Sequence, residues 1–196
     1  MKDIIRNQLR ESADVKLRTA EELSDSIQEA AEMILSCYRN GGKVLLIGNG
    51  GSAADAQHIA GELVGNLDPK RKRRALAAIA LTTNSSIITA LGNDQGYDTV
   101  FARKVEALAT HSADLLIAIT TSGSSANILN AIRAAKERNI KVIGFLGKDG
   151  GQAKNMVDLP LVVPSNNTQR IQETHITIGH IICDIVEEAL VRGTLV

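Results

Sequence analysis

The sequence predicts an α/β fold: a three-layer α/β/α sandwich on a five-stranded parallel sheet, with a helical extension at the N-terminus. Short apolar runs at 44–47, 76–81, 115–119, 141–146 and 159–163 alternate with longer stretches of helical spacing. Strands that alternate with helices in this way pair in parallel and carry helices on both faces. In addition, the first and third runs each end in a loop of small residues that opens directly into a helix. Ligands of such sheets bind outside the carboxyl ends of the strands, so both loops are expected at one crevice.

The elements follow in order. Residues 3–39 read as two helices, from Ile4, Ile5 and Leu9 and then Leu23, Ile27, Ala30, Ala31, Ile34 and Leu35, with a break at 18–24 soft enough to allow one long kinked helix instead. Asn40-Gly41-Gly42 suits a left-handed helix stop. The run 44–47 is too short for a helix and apolar enough for a buried parallel strand. It leads into Gly48-Asn49-Gly50-Gly51-Ser52 and then a proline-free helix over 53–64, with Ser52 in an N-cap position. Glycines let the backbone approach a ligand closely, and the free N–H groups of a helix start favour an anion.

After Asp68-Pro69 come five consecutive cations, Lys70 to Arg74. They read as a solvated surface loop or as a cationic flap over a phosphorylated ligand; a nucleic-acid patch fits a chain of zero net charge least well. A strand at 76–81 is followed by a short helix ending near Leu91, a turn cluster at 92–96 and a helix over 98–109. The strand 115–119 runs into Thr120-Thr121-Ser122-Gly123-Ser124-Ser125 and the helix 126–138. Clustered hydroxyls at a positive helix end suit a phosphate monoester, although a plain Ser/Thr loop has the same composition. No Walker lysine pattern accompanies it, which argues against a nucleoside triphosphate. A strand at 141–146, a short helix at 152–156 and a strand at 159–163 follow. Pro160 and Pro164 make the last an edge strand. The final helix, 168–191, is apolar almost all round and must be buried or covered by another subunit. Its Gln172, Glu173, His175 and His180 therefore need partners and are site candidates.

With 196 residues the chain suits one domain, here 1–196, comprising N-terminal helices (1–40), an α/β core (41–165) and a C-terminal helix (166–196). Its 22 basic and 22 acidic residues cancel, and aromatics make up 2 % with no Trp, so neither a polyanion nor a stacked single strand is an expected partner. Cys37 and Cys183 are scattered and form no CxxC, the usage of a reduced compartment. No apolar run approaches the length of a membrane span, and residues 1–12 show no apolar signal core. A cytoplasmic protein without nucleic-acid or membrane partners is expected.

His58 and Glu62 lie four residues apart, about 40° around one helix face. A lone His58 reads equally as a core histidine. Paired with Glu62 and with another imidazole on the C-terminal helix, it also reads as an open metal set or an acid–base site. The residues alone thus reach a phosphosugar-like binder, and no reaction follows from them.

The segments GNGGSAADAQHIAGEL (48–63), LGNDQGYD (91–98), TSGSSANIL (121–129) and RIQETHITIGH (170–180), taken together and in order, resemble the sedoheptulose-7-phosphate (phosphoheptose) isomerases of the sugar-isomerase (SIS) domain, a flavodoxin-like fold. The resemblance covers essentially the whole chain. It implies a ketose–aldose isomerase acting through an enediol in heptose biosynthesis, whose product feeds lipopolysaccharide core, capsule or a glycosylated surface layer. It implies a homotetramer with sites at subunit interfaces and one Zn2+ per subunit held by His58, Glu62, Gln172 and His180. Glu62 and His180 match the proton-transfer pair, with Glu62 as base and His180 as acid. Asn49, Gly50, Gly51, Ser52, Asn93 and Asp94 match sugar contacts, together with Glu62 and Gln172, and Thr120, Thr121, Ser122 and Ser125 match the phosphate loop. Thr120 replaces a Ser common in the family and keeps the hydroxyl; an Asp that some members carry before RIQE has no counterpart in the segment 166–169, where Gln169 precedes Arg170. Relatives that bind the bacterial replication initiator, and regulators that merely bind a phosphosugar, are the rival readings; the former lack equivalents of Glu62 and His180.

Overall fold

A computed structural model describes residues 1–193. Five strands form one sheet in the order β2-β1-β3-β4-β5, every neighbouring pair parallel. They are β1 (Val44–Gly48), β2 (Ala78–Ala80), β3 (Leu115–Thr120), β4 (Lys141–Gly147) and β5 (Leu159–Val163). The helices are α1 (Lys2–Arg39), α2 (Gly51–Val64), α3 (Ser85–Asp94), α4 (Val100–Leu108), α5 (Ala126–Glu137) and α6 (Thr168–Val191), with a 3-10 turn at Gln152–Asn155.

Strand periodicity divides the core in two. Val44, Leu46, Leu115, Ile117, Ile119, Ile143 and Phe145 face one side, where α1, α2 and α6 bring Ile34, Ile59, Leu63, Ile171, Ile178 and Ile182. Leu45, Ile47, Leu116, Ala118 and Val142 face the other, against Phe101 and Val105 of α4 and Ile128 and Ile132 of α5. The three expected layers are therefore present, and β5, with Pro160 and Val162 only half-buried, is the edge strand.

Several boundaries differ from expectation. The two N-terminal helices are one, because 38 residues from Lys2 to Arg39 contain neither Gly nor Pro and nothing in the polar stretch at 18–24 breaks the backbone ladder. There Thr19 turns its hydroxyl onto the Val15 carbonyl at 2.8 Å and stays within the helix. β2 shrinks to Ala78–Ala80. α3 continues through Gly92, Asn93 and Asp94, which form its last turn instead of a turn cluster. α4 starts at Val100 rather than 98. Gly50, not Ser52, is the N-cap of α2, and Ser52 is buried in its first turn. α6 has the expected length, but only one side is buried in the single chain; Ile181 and Ile185 remain about 40 % exposed.

α2 and α6 pack together on one face of the sheet, while α5 lies on the other. β1 and β3 are neighbours, so the loops leaving their carboxyl ends diverge to opposite faces and leave a crevice between them.

Candidate active site

The crevice is stitched together by amides. Asn49 follows β1 and Asn127 sits in the first turn of α5; each side-chain NH2 donates to the other's carbonyl oxygen at 2.9 Å. The Tyr97 hydroxyl donates to the same Asn49 oxygen at 3.4 Å, which brings the segment after α3 to the first loop. Asn130 donates to the Asp98 carbonyl at 2.9 Å and ties that segment to α5. Asn93 and Asp94, joined by a 2.7 Å hydrogen bond, are exposed at the end of α3, on the same segment. Asn127 and Tyr97 escaped the sequence reading. Both lie inside the matched segments, yet a polar residue in a helix start or a turn carries no signal of what it will touch.

Gly51 is the closest approach of the α2 start to α6: a Cβ there would lie 2.6 Å from the Gln172 amide nitrogen. Gln172 thus lines the loop end of the α2–α6 seam. The second loop is held from below. Thr120 Oγ1 accepts from the Gly123 N–H at 3.2 Å, and Ser122 Oγ accepts from the Ser124 N–H at 3.3 Å. Gly123 has φ +64°, and a Cβ there would sit 1.9 Å from the Gly150 carbonyl oxygen, so only glycine fits. Ser125 caps α5 through its backbone, and its hydroxyl makes no capping bond. Thr121, Ser122 and Ser125, all partly exposed, surround the positive end of α5.

Along the seam, His58 Nε2 lies 3.0 Å from Glu62 Oε1 and 3.2 Å from His180 Nε2. The imidazole rings meet edge to face, with centroids 4.9 Å apart. His58 is exposed, whereas Glu62 and His180 are half-buried. One ligand atom from each of the three falls within 4.8 Å of the others, and among the described residues this is the cluster of His, Cys, Asp and Glu suited to a metal. The donor set fits zinc: three lone pairs converge, and His58 Nε2 cannot donate one hydrogen well to both neighbours, whereas a cation engages all three. The cluster forms within one chain. Gln172, the fourth residue expected at the metal, is two helical turns before His180, with its amide against Gly51.

Other groups on these helices divide by environment. Asp55, one turn before His58, keeps its Oδ2 buried and unpartnered, and burial raises its carboxyl to about 6 despite the opposing pull of His58. The Cys183 thiol, one turn after His180, is pushed up to about 12 by burial and then by the Glu62 carboxylate. His175 is not part of the site. It is fully buried, donates to the Leu146 carbonyl at 2.9 Å, and is held down to about 4 by burial. Glu173 also points elsewhere, accepting from Ser12 of α1 at 2.7 Å and pairing with Arg170 at 3.0 Å. The cationic loop is only partly free: Arg71 pairs with Asp184 at 2.6 Å, and Arg73 is buried against Glu187 at 2.9 Å.

Comparison with known proteins points the same way. The SIS domain family model matches residues 9–147. A phosphoheptose isomerase of Geobacter sp. strain M21 is 50 % identical over 190 residues, which is 97 % of each chain. The solved phosphoheptose isomerase of Neisseria gonorrhoeae superposes with a TM-score of 0.89 at 43 % identity, over 95 % of this chain and 98 % of that one. That of Francisella tularensis gives 0.90 at 42 % identity, over 95 % and 97 %.

Proposed function

The chain belongs to the SIS-domain family and, within it, to the phosphoheptose isomerases, and from that membership we propose that it interconverts sedoheptulose 7-phosphate and D-glycero-D-manno-heptose 7-phosphate. It is an aldose–ketose isomerase. What supports the specific reading is that Glu62, His58 and His180 meet on the α2–α6 seam, whose loop end, where Gln172 faces Gly51, opens at the turn after β1.

The reaction moves hydrogens and nothing else. A base removes a proton from C1 of the ketose, the freed pair forms the C1–C2 double bond, and the C2 carbonyl oxygen takes a proton to give an enediol. A proton then returns to C2 while O1 loses its own, leaving the aldehyde at C1. Glu62, with Oε1 fixed by His58, is the base; His180 Nε2 is the acid at the carbonyl oxygen. Thr120, Thr121, Ser122 and Ser125, with the start of α5, hold the phosphate at the far end. Asn49 to Ser52, Asn93, Asp94 and Gln172 orient the sugar between them. His58, Glu62 and His180, with Gln172 as the fourth expected ligand, would hold a zinc ion, which would supply stabilisation of the developing oxyanion charge. A carboxylate bound tightly to metal is a weaker base, and an imidazole nitrogen bound to metal carries no proton to give, so the metal and proton-transfer roles compete at both Glu62 and His180.

We further propose that the chain works in the cytoplasm as a homotetramer. The helices it would use, α1 and α6, leave Ile4, Ile5, Leu9 and Leu17 and then Ile181 and Ile185 exposed, an arrangement suited to covering by a second copy.

The test is to incubate the protein with sedoheptulose 7-phosphate and follow an aldose anomeric proton by NMR, with a chelator-treated sample in parallel. Product whose formation is lost on chelation and restored by zinc supports both the reaction and the metal. Turnover that survives chelation assigns Glu62 and His180 to direct proton transfer without metal. Glu62→Ala should lower turnover by about 10²- to 10⁴-fold, the usual worth of a positioned base. Near wild-type turnover in that variant refutes both roles of Glu62.

A further inference from the structure

Glu62 is gripped at both ends. Its carboxylate meets His58, and its backbone carbonyl accepts from Arg73 Nη2 at 2.6 Å. Arg73 Nη1 donates to the next carbonyl, Leu63, at 3.0 Å and to that of Arg74 at 3.0 Å. Its Nε donates to Glu187 Oε1 at 2.9 Å. The Glu187 carboxylate also accepts from the backbone N–H groups of Leu67 at 3.2 Å and Asp68 at 3.0 Å. Side-chain exposure is 2 % for Arg73 and 1 % for Glu187, so this is a buried ion pair on the C-terminal end of α2, with Arg71 Nη1 also 3.9 Å from Glu187.

Its position is what matters. The last carbonyls of a helix have no partner within the helix, and a cation there is favoured by the helix dipole. Glu187 lies on α6 seven residues after His180, on the same stripe of that helix. The pair therefore joins the residue bearing the base to the helix bearing the acid. Buried ion pairs contribute little net stability compared with apolar side chains of equal volume. The fork geometry of a guanidinium, by contrast, fixes direction.

We propose that Arg73, anchored by Glu187, is a positioning residue that sets the separation of α2 and α6, and with it the mutual placement of Glu62, His58 and His180. This rests on the isomerase reading given above. It gives the cationic loop a role: one of its cations braces the acid–base cluster from behind.

Four variants test it: Arg73→Met, Glu187→Leu, the two combined, and Arg73→Lys. Each is characterised by thermal unfolding, by zinc titration of chelator-treated protein, and by kcat and KM for sedoheptulose 7-phosphate. Arg73→Met leaves Glu187 with Arg71 alone, at 3.9 Å, and Glu187→Leu leaves Arg73 without its carboxylate, so each should unfold at lower temperature. The double variant should regain most of the lost Tm while kcat stays about tenfold or more below wild type and zinc binds about tenfold more weakly. KM should stay within about twofold, because the clamp is remote from the phosphate loop. A double variant that recovers kcat and zinc affinity along with Tm overturns the proposal and leaves the pair a purely structural one. Should the apolar singles fail to fold, Arg73→Lys decides: it keeps the charge without the fork, so a kcat about tenfold down in folded protein supports the proposal and wild-type kcat refutes it. Wild-type protein with no turnover of the ketose defeats the isomerase reading and the positioning role together, and is recognised before any variant is compared.

Discussion

Asp55 and His175 show how burial gives two ionisable groups on the same face of the sheet opposite pH behaviour. The Asp55 carboxyl is raised from 3.8 to about 6, chiefly by desolvation. Its contribution to stability is present below pH 3.8 and lost as pH rises through about 6, and above that the ionised form is a cost. Asp55→Asn removes the cost. In chelator-treated protein it should raise Tm by about 2–4 °C at pH 8, discounted for the solvent that still reaches the group, with the gain vanishing below pH 4. An equal gain at both pH values would mean that ionisation of Asp55 is not its source. His175, lowered from 6.5 to about 4, is neutral in the folded chain. Its contribution is present above pH 6.5 and lost as pH falls through about 4. Of the four imidazoles in the chain, that of His175 should show no protonation shift in an NMR titration between pH 8 and 5.

At the scale of elements, the loops matter more than the helices they open. Reciprocal amide bonds between Asn49 and Asn127 tie the loop after β1 to the first turn of α5. Asn127→Ala leaves the Asn49 amide without that partner, and should cost about 1–3 kcal/mol of stability, measured by urea unfolding, and raise KM. Gly123→Ala confronts the Gly150 carbonyl at 1.9 Å from a left-handed backbone, so the hydroxyl loop must move. KM for the sugar phosphate should rise at least about tenfold, equivalent to about 1.4 kcal/mol of lost binding. Gly51→Ala meets only the end of the Gln172 side chain, which can swing away. Tm should then change little while KM rises. A KM unchanged in Gly51→Ala would remove Gln172 from the substrate site.

For the whole molecule, the single chain leaves apolar side chains open along α1. Ile4, Ile5, Leu9 and Leu17 are each about 60 % exposed, and Lys16, Thr19, Ile27, Thr174, Ile178, Ile181 and Ile185 line a groove of about 330 Å³ between α1 and α6. A helix of 38 residues with its N-terminal half so exposed is expected to be covered in solution. Analytical ultracentrifugation should show a tetramer, and Leu9→Asp combined with Ile181→Asp should shift it to smaller species. A wild-type protein that sediments as a monomer would refute the assembly.

Much of this molecule was legible in the chain. The alternation of apolar runs with helices determines a parallel sheet, because each intervening helix carries the chain back to the same end of the sheet, and all five strands fall where the runs lie. The glycine and hydroxyl runs determine where β1 and β3 give way to the starts of α2 and α5, since small residues suit such tight strand-to-helix turns. The spacing of His58 and Glu62 determines that they share a face, because helical pitch is fixed. Tertiary structure alone decided the rest. It brought His180 within 3.2 Å of His58 across 122 residues, and it turned His175 into the core though it lies only five residues earlier on the same helix. It bound Asn49 to Asn127, and it committed Arg73 of an apparently solvated cationic run to a buried carboxylate. Local sequence sets periodicity and turn geometry. Which polar side chains meet depends on how the layers stack, and that is settled only when α2, α5 and α6 pack against the sheet.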